Sequence, residues 1–214
     1  MKPHKPTLLV TIGPTQEPLD AMRLISNRST GVLGTMLALR LMESGHPVIA
    51  LRGTASTADP AELMRHCEQV IPFASTADLK AALDNLATQH LPISGVFHTA
   101  AVSDFYLPDA GSGKIPTSQG PLTLTLEPTP KLLPLMRGWF PTAKITGWKF
   151  EAGDTKESAL AAGIAQIQNY DTDVCVVNGP SYGEGFGVLD SSGHCDHLAD
   201  RVTLCEYLTK SVIS

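Results

Sequence analysis

Residues 11–34, TIGPTQEPLDAMRLISNRSTGVLG, hold the side chains best suited to chemistry on an anion. The stretch leaves an apolar run and crosses a polar loop carrying Arg23 and Asn27. It then enters a helical pattern at Ser29-Thr30-Gly31-x-x-Gly34. Small residues at a helix start let backbone amides approach an anion, and the helix dipole favours negative charge there. Asn27 adds a neutral carboxamide with both donor and acceptor. Gly, Ser and Asn also serve simply as turn and cap residues. The loop exceeds the roughly two to six residues usual between strand and helix, which points to function.

The bulk numbers exclude several classes. With 43% hydrophobic and 17% charged residues and a net charge of −5, the 214-residue chain can bury a core and shows no basic surface for nucleic acid. No apolar run approaches the ~18 residues needed to cross a bilayer, so no membrane partner is expected. The N-terminal MKPHKPTLLVTIGP has too short an apolar run for a signal peptide and reads as a first strand. Cys67, Cys175, Cys195 and Cys205 are scattered without a CxxC, which suits free thiols and a cytoplasmic protein. Cys67 and Cys175 fall on apolar faces. His194 and His197 form an HCDH cluster that could hold a metal, but no third ligand is apparent, so metal ligands stay unassigned.

The elements that must position the loop alternate. Strands are expected at 8–12, 47–51, 70–73, 95–101, 144–148 and 174–177, with a half-exposed strand at 122–126 where Leu and Thr alternate. Helices are expected at 31–44, 61–70, 76–89, 131–138, 155–169 and 200–212. The Gly-rich stretch 178–193 reads as a mobile loop. This order implies an α/β fold with a doubly wound, Rossmann-like parallel sheet. With no repeat and no linker, residues 1–214 read as one domain. Residues 102–126 could form an arm that reaches a second subunit.

A dinucleotide enzyme is the first reading to weigh. The turn after the first strand is Gly13-Pro14-Thr15 rather than GxGxxG, and the second strand ends in Leu51-Arg52-Gly53 with no acid for a ribose. Arg52 could meet a 2′-phosphate, so NADP stays open. A Tyr-x-x-x-Lys pair is missing.

Six segments together are more specific: PLDAMRLISNRSTGVLG, TAAVSDF (99–105), GKI (113–115), GPLTLTLEPTPKLL (120–133), GWKFEAGD (147–154) and VCVVNG (174–179). In order and spacing they resemble phosphopantothenoylcysteine synthetase, over about the first 180 residues. The combination of R-x-x-x-N-x-S-x-G-x-x-G with AAVSD carries the resemblance. It implies a ligase of coenzyme A biosynthesis that joins L-cysteine to 4′-phosphopantothenate through an acyl-nucleotide intermediate. ATP or CTP would be co-substrate, with Mg²⁺, in a homodimer. It also implies roles. Gly13, Ser29, Gly31 and Gly34 would hold nucleotide phosphates, and Asn27 would grip the acyl carbonyl. Arg23 would reach the substrate phosphate in the neighbouring subunit. Ala100 and Ala101 would let the pantothenoyl backbone come close, and Asp104 would contact substrate. Lys114 would meet the triphosphate, Trp148 would stack on the base, and Asn178 would lie near base or ribose.

Two departures matter. CTP-using bacterial members continue the Lys114 motif as KxKK, whereas this chain has Lys114-Ile115-Pro116-Thr117. The helix at 155–169 lacks the basic residues of that branch near its end, where Tyr170 stands. Both lean towards ATP, and the lost cations could also mean weak activity or a different substrate. An NADP- or flavin-binding oxidoreductase and a silent nucleotide-binding homologue are the competing classes.

Overall fold

The computed structural model describes residues 5–153 and 155–212. In chain order the elements are β1 (Thr7–Ile12), β2 (Gln16–Pro18), β3 (Leu24–Ser26), α1 (Val32–Glu43), β4 (Val48–Gly53), α2 (Ala61–His66), β5 (Gln69–Phe73), α3 (Thr76–Thr88) and β6 (Ile93–His98). There follow β7 (Phe105–Tyr106), β8 (Glu127–Pro128), α4 (Met136–Trp139), β9 (Lys144–Phe150), α5 (Lys156–Tyr170), β10 (Val174–Asn178), β11 (Phe186–Asp190), β12 (Cys195–Leu198) and α6 (Arg201–Lys210).

Eight strands form one sheet in the order β12-β11-β10-β9-β6-β1-β4-β5. The six from β10 to β5 run parallel, and β11 and β12 add an antiparallel edge. A parallel sheet covered on both faces needs strands apolar on both sides. β1 meets that demand: Leu8, Val10 and Ile12 join the core beside α1, α2 and α6, while Leu9 joins the core beside α3 and α4. α5 covers β9 to β11, with Ala159 and Ile167 packed against Cys175, Val177 and Leu189. β1 and β6 are neighbours, yet the chain leaves β1 towards β4 and leaves β6 towards β9. Their C-terminal ends therefore mark the topological switch point, where ligands of open α/β sheets bind.

Four expectations need correction. Residues 122–126 alternate as a strand should, but they find no partner strand among the described residues; only Glu127–Pro128 pairs, with Phe105–Tyr106. The stretch 178–193 is no loose loop, because it contains β11, buried over most of its length. Its glycines hid the strand: a Cβ on Gly187 would sit 2.6 Å from the Tyr182 ring, so the strand needs glycine there. The helix expected at 61–70 ends at His66, where Cys67 turns extended to lead into β5. The helix expected at 131–138 is a 3-10 turn at Leu133–Leu135 followed by α4, since Pro134 supplies no amide hydrogen. No helix among the described residues is long and apolar enough to cross a membrane.

Candidate active site

A cleft of about 840 Å³ opens at the switch point. Its wall is the start of α1. Of the four described helices of 10 residues or more, α3, α5 and α6 begin with reciprocal capping boxes, whereas α1 begins at Gly31 with no side-chain cap. First-turn amides without a cap must find another acceptor, and among the described residues only that of Val32 has a side-chain one, the Thr30 hydroxyl at 3.4 Å. Here they border the cleft, with Ser29, Gly31, Val32, Leu33 and Gly34 on its lining. Gly31 is required twice over. Its φ is 74°, and a Cβ would lie 2.0 Å from Ser56 Oγ. That hydroxyl donates to the Thr30 carbonyl at 3.0 Å and so pins the turn from below. Gly34 lets helix and sheet close up, since a Cβ there would lie 2.3 Å from Thr99 Oγ1.

The floor is the turn after β6, held by buried hydroxyls. Thr11 Oγ1 accepts the Ala100 amide at 3.1 Å, and Thr15 Oγ1 accepts the Ser103 amide at 2.9 Å. Gly13 and Ala101 are joined through the Ala101 amide and the Gly13 carbonyl at 3.0 Å. Ala100, Ala101 and Asp104 line the cleft. Asn27 closes it from above: its Nδ2 donates to the Val102 carbonyl at 2.9 Å, which leaves its second N–H and its carbonyl uncommitted. On the far side stand Trp148 and Asn178.

The structure therefore brings together nine of the residues singled out by sequence: Asn27, Ser29, Gly31, Gly34, Ala100, Ala101, Asp104, Trp148 and Asn178. It leaves three outside the lining. Gly13 lies beneath, with φ of 84° and a would-be Cβ 2.9 Å from Ser56 Cβ, so it shapes the turn rather than bordering the space. Arg23 and Lys114 lie on an arm. Asp20, with its side chain fully buried, accepts the amides of Met22 at 2.7 Å, Arg23 at 2.8 Å and Ile115 at 3.0 Å, and the Arg23 guanidinium at 2.5 Å. The Ile115 amide, joined by those of Met22 and Arg23 and by the Arg23 charge, holds its pKa down to about 2. The loop bearing Lys114 thus docks on the β2–β3 hairpin.

Other groups on the cleft were not read from sequence. Lys131 pairs with Asp104, and Lys149 with Glu151 at 3.1 Å. Arg28 and Arg201 also line it, without an ion-pair partner among the described residues. Phe150 shares a strand face with Trp148, being two residues on, and is 67% exposed. Trp148 itself is half-buried against the core, and its Nε1 is sealed without a partner. His98 lines the floor, and its period-two position at the end of β6 was the available signal.

Arg52 donates to the Ser56 and Ala58 carbonyls, both at 2.8 Å, and is thereby committed to its own loop. Burial pushes the Cys175 thiol up to about 12 and Cys67 and Cys205 up to about 11, which keeps all three protonated. His194 meets Asp196 and His197 meets Tyr182, at 3.2 and 3.0 Å, so the two histidines have separate partners. Among the described residues no three His, Cys, Asp or Glu side chains gather as metal ligands.

Sheet order and switch-point cleft define a Rossmann-like protein whose first long helix turns its N-terminal amides towards that cleft. Comparison narrows the class. Residues 4–211 match the DNA/pantothenate metabolism flavoprotein C-terminal domain, and the chain belongs to that family. It is 32% identical over 171 residues to the coenzyme A biosynthesis bifunctional protein CoaBC of Thermococcus kodakarensis, covering 80% of this chain and 40% of that protein. It is 31% identical over 225 residues to the human phosphopantothenate–cysteine ligase, covering 80% of this chain and 71% of that one. The chain thus spans less than half of the bifunctional relatives it matches. Among solved structures, the DNA/pantothenate metabolism flavoprotein of Streptococcus pneumoniae superposes with a TM-score of 0.82 at 20% identity, over 98% of both chains. A Cab2 H337A complex with phosphopantothenate-cysteine gives 0.79 at 18% identity, over 98% of this chain and 86% of that one. These two likenesses show the fold.

Proposed function

We propose that this chain is an amide-forming ligase that joins L-cysteine to 4′-phosphopantothenate. The observation that carries the reading is the meeting of Asn27, the uncapped start of α1 and the Ala100–Ala101 turn on one cleft. The relatives named for this ligation support it.

The chemistry suits these groups. A carboxylate is a poor electrophile because its charge is delocalised and oxide is a poor leaving group. In the first step its oxygen attacks the α-phosphorus of a nucleoside triphosphate, and pyrophosphate leaves. In the second the cysteine amine attacks the acyl carbon, loses a proton, and nucleoside monophosphate leaves. Nearly every species is anionic, so the demand is for preorganised donors more than for an acid–base pair. The α1 amides with Ser29, Gly31 and Gly34 would hold phosphates, and the free N–H of Asn27 would meet the oxygen that gains charge. Ala100 and Ala101 would leave room for the pantothenoyl chain beside Asp104. Trp148 and Phe150 would face the base, with Asn178 beside it.

Mg²⁺ fits the chain's own residues poorly. Asp104 is a carboxylate on the cleft and is already paired with Lys131, while a Mg²⁺ site takes one or two carboxylates in addition to phosphates. The nucleotide would have to supply most of the oxygen ligands. For the nucleotide itself the reading leans to ATP, because Pro116, Thr117 and Tyr170 stand where CTP-using members carry cations.

A homodimer completes the scheme. The arm exposes Met22, Leu24, Phe105 and Leu122 by 51% to 71%, a face that a second copy would cover. Arg23 and Lys114 would then serve the partner's cleft. The test is pyrophosphate release with ATP, CTP, GTP or UTP. Release that requires both phosphopantothenate and a nucleotide is expected, fastest with ATP. Nucleotide binding without release would instead mark a silent homologue, and a yellow protein a flavoprotein.

A further inference from the structure

The floor of the cleft contains a titratable group that the proposed ligation does not use. His98, 7% exposed, ends β6 and lines the cleft between the Ala100–Ala101 turn and Leu133. Its Nδ1 lies 2.9 Å from Thr11 Oγ1. Thr11 is fully buried, and its oxygen already accepts the Ala100 amide. If Nδ1 carried the proton, Thr11 Oγ1 would accept twice and its own buried hydrogen would have no acceptor among the described residues. Buried hydroxyls rarely go without one. The hydroxyl therefore donates to Nδ1, and the ring proton sits on Nε2. Nε2 has no protein partner among the described residues, yet it is not a sealed atom; the space it meets is the cleft.

We propose that His98 is a further binding residue of this cleft, its uncharged Nε2–H donating a hydrogen bond to an acceptor atom of the ligand seated on the Ala100–Ala101 turn. The identity of that ligand, a nucleotide or a pantothenoyl amide, rests on the ligase reading. Burial lowers the His98 pKa to about 4, so the ring stays a neutral donor at physiological pH. A neutral donor suits a carbonyl or ring nitrogen, and it leaves anions to the α1 amides and the rim cations.

Two substitutions separate reach from packing. His98→Asn places an amide near the position of Nδ1, where it can still accept from Thr11, but it is too short to reach the cleft. His98→Gln places an amide near the position of Nε2. Titration calorimetry with ATP, CTP and phosphopantothenate, each alone, is expected to show His98→Asn binding one class of ligand about five- to tenfold more weakly, with His98→Gln recovering most of the loss. Weakening confined to nucleotides assigns the acceptor to the nucleotide, and weakening confined to phosphopantothenate assigns it to the acyl substrate. Ring ¹⁵N spectra of wild type should show the Nε2–H tautomer at pH 7 and a shift when that ligand is added. An Nδ1–H tautomer, or wild-type binding with an indifferent His98→Asn, overturns the proposal and leaves the ligase reading standing. Wild type that binds neither nucleotide nor phosphopantothenate overturns the ligase reading, and this proposal with it.

Discussion

Residues 11–15 and 98–103 hold the cleft floor through buried hydroxyls and backbone amides. Residues 16–26 and 104–128 adjoin them but are tied differently, through two buried carboxylates, Glu17 to Thr76 and Asp20 to the Ile115 amide, and keep large apolar side chains in water. On the floor, Thr11, Thr15 and Ser103 are 0% to 3% exposed, and each bond fixes backbone that a ligand would touch. On the arm, Asp20 fixes how the hairpin and the Lys114 loop sit against each other, and four apolar side chains go uncovered. The difference divides the chemistry. Neutral donors are preset on the cleft, and two of the expected cations, Arg23 and Lys114, sit on a piece whose large apolar side chains are exposed.

The division breaks most sharply at Asn27. Asn27→Ala should lower product formation at least about tenfold, since one donor to a developing oxyanion is worth ~2.7–4 kcal/mol of barrier. Thermal unfolding should be unchanged, because the carboxamide is exposed and makes one protein hydrogen bond. Wild-type turnover in that variant would leave the cleft without its central donor. The next largest effect tests the arm. If Arg23 acts across a two-fold axis, a dimer of one Arg23→Ala and one Asn27→Ala chain keeps one intact site. A statistical mixture of the two variants should then regain about a quarter of the wild-type rate. No recovery in verified mixed dimers would mean that each cleft works without its partner's arm.

How much of this could be read beforehand follows the same line. Local signals announced the wall and floor of the cleft: the Gly31 and Gly34 spacing, the small pair Ala100–Ala101 and the alternation of strands and helices. Tertiary pairing decided the rest. Residues 122–126 carried a sound strand pattern but met no neighbour, while β11 had a neighbour and was disguised by the glycines that let Tyr182 close over it. Arg23 looked like a ligand for phosphate, but the buried Asp20 three residues earlier takes its guanidinium in the single chain. Lys131 carried no local mark, because what gives it meaning is Asp104, 27 residues away.

Asp20 makes the contrast measurable by pH. Its folded pKa is lowered from 3.8 to about 2, so the stability that it contributes is fully present above about pH 4 and is lost as the pH falls towards 2. In urea unfolding, wild type should exceed Asp20→Asn by a constant margin at higher pH, and the margin should close over that acid window. At pH 7 the variant should be cut within residues 102–120 severalfold faster by a protease, while bonds on the cleft floor stay protected. Equal cleavage in both proteins would mean that the arm is held by something other than this carboxylate.

The smallest effect belongs to the Lys131–Asp104 pair at the rim. Both side chains are more than half exposed, at 59% and 62%, so the pair is screened by water and salt. Exposed ion pairs are worth ~0–1 kcal/mol, and Lys131→Gln should change stability by less than about 0.5 kcal/mol. Its consequence should appear in binding. Removing Lys131 frees the Asp104 carboxylate and takes a positive charge from the cleft, which on the ligase reading should raise KM for the anionic phosphopantothenate a fewfold while kcat holds. A fall in kcat with KM unchanged would move Lys131 from the rim to the reacting centre, and the division between a floor that performs the chemistry and a periphery that gathers anions would have to be redrawn there.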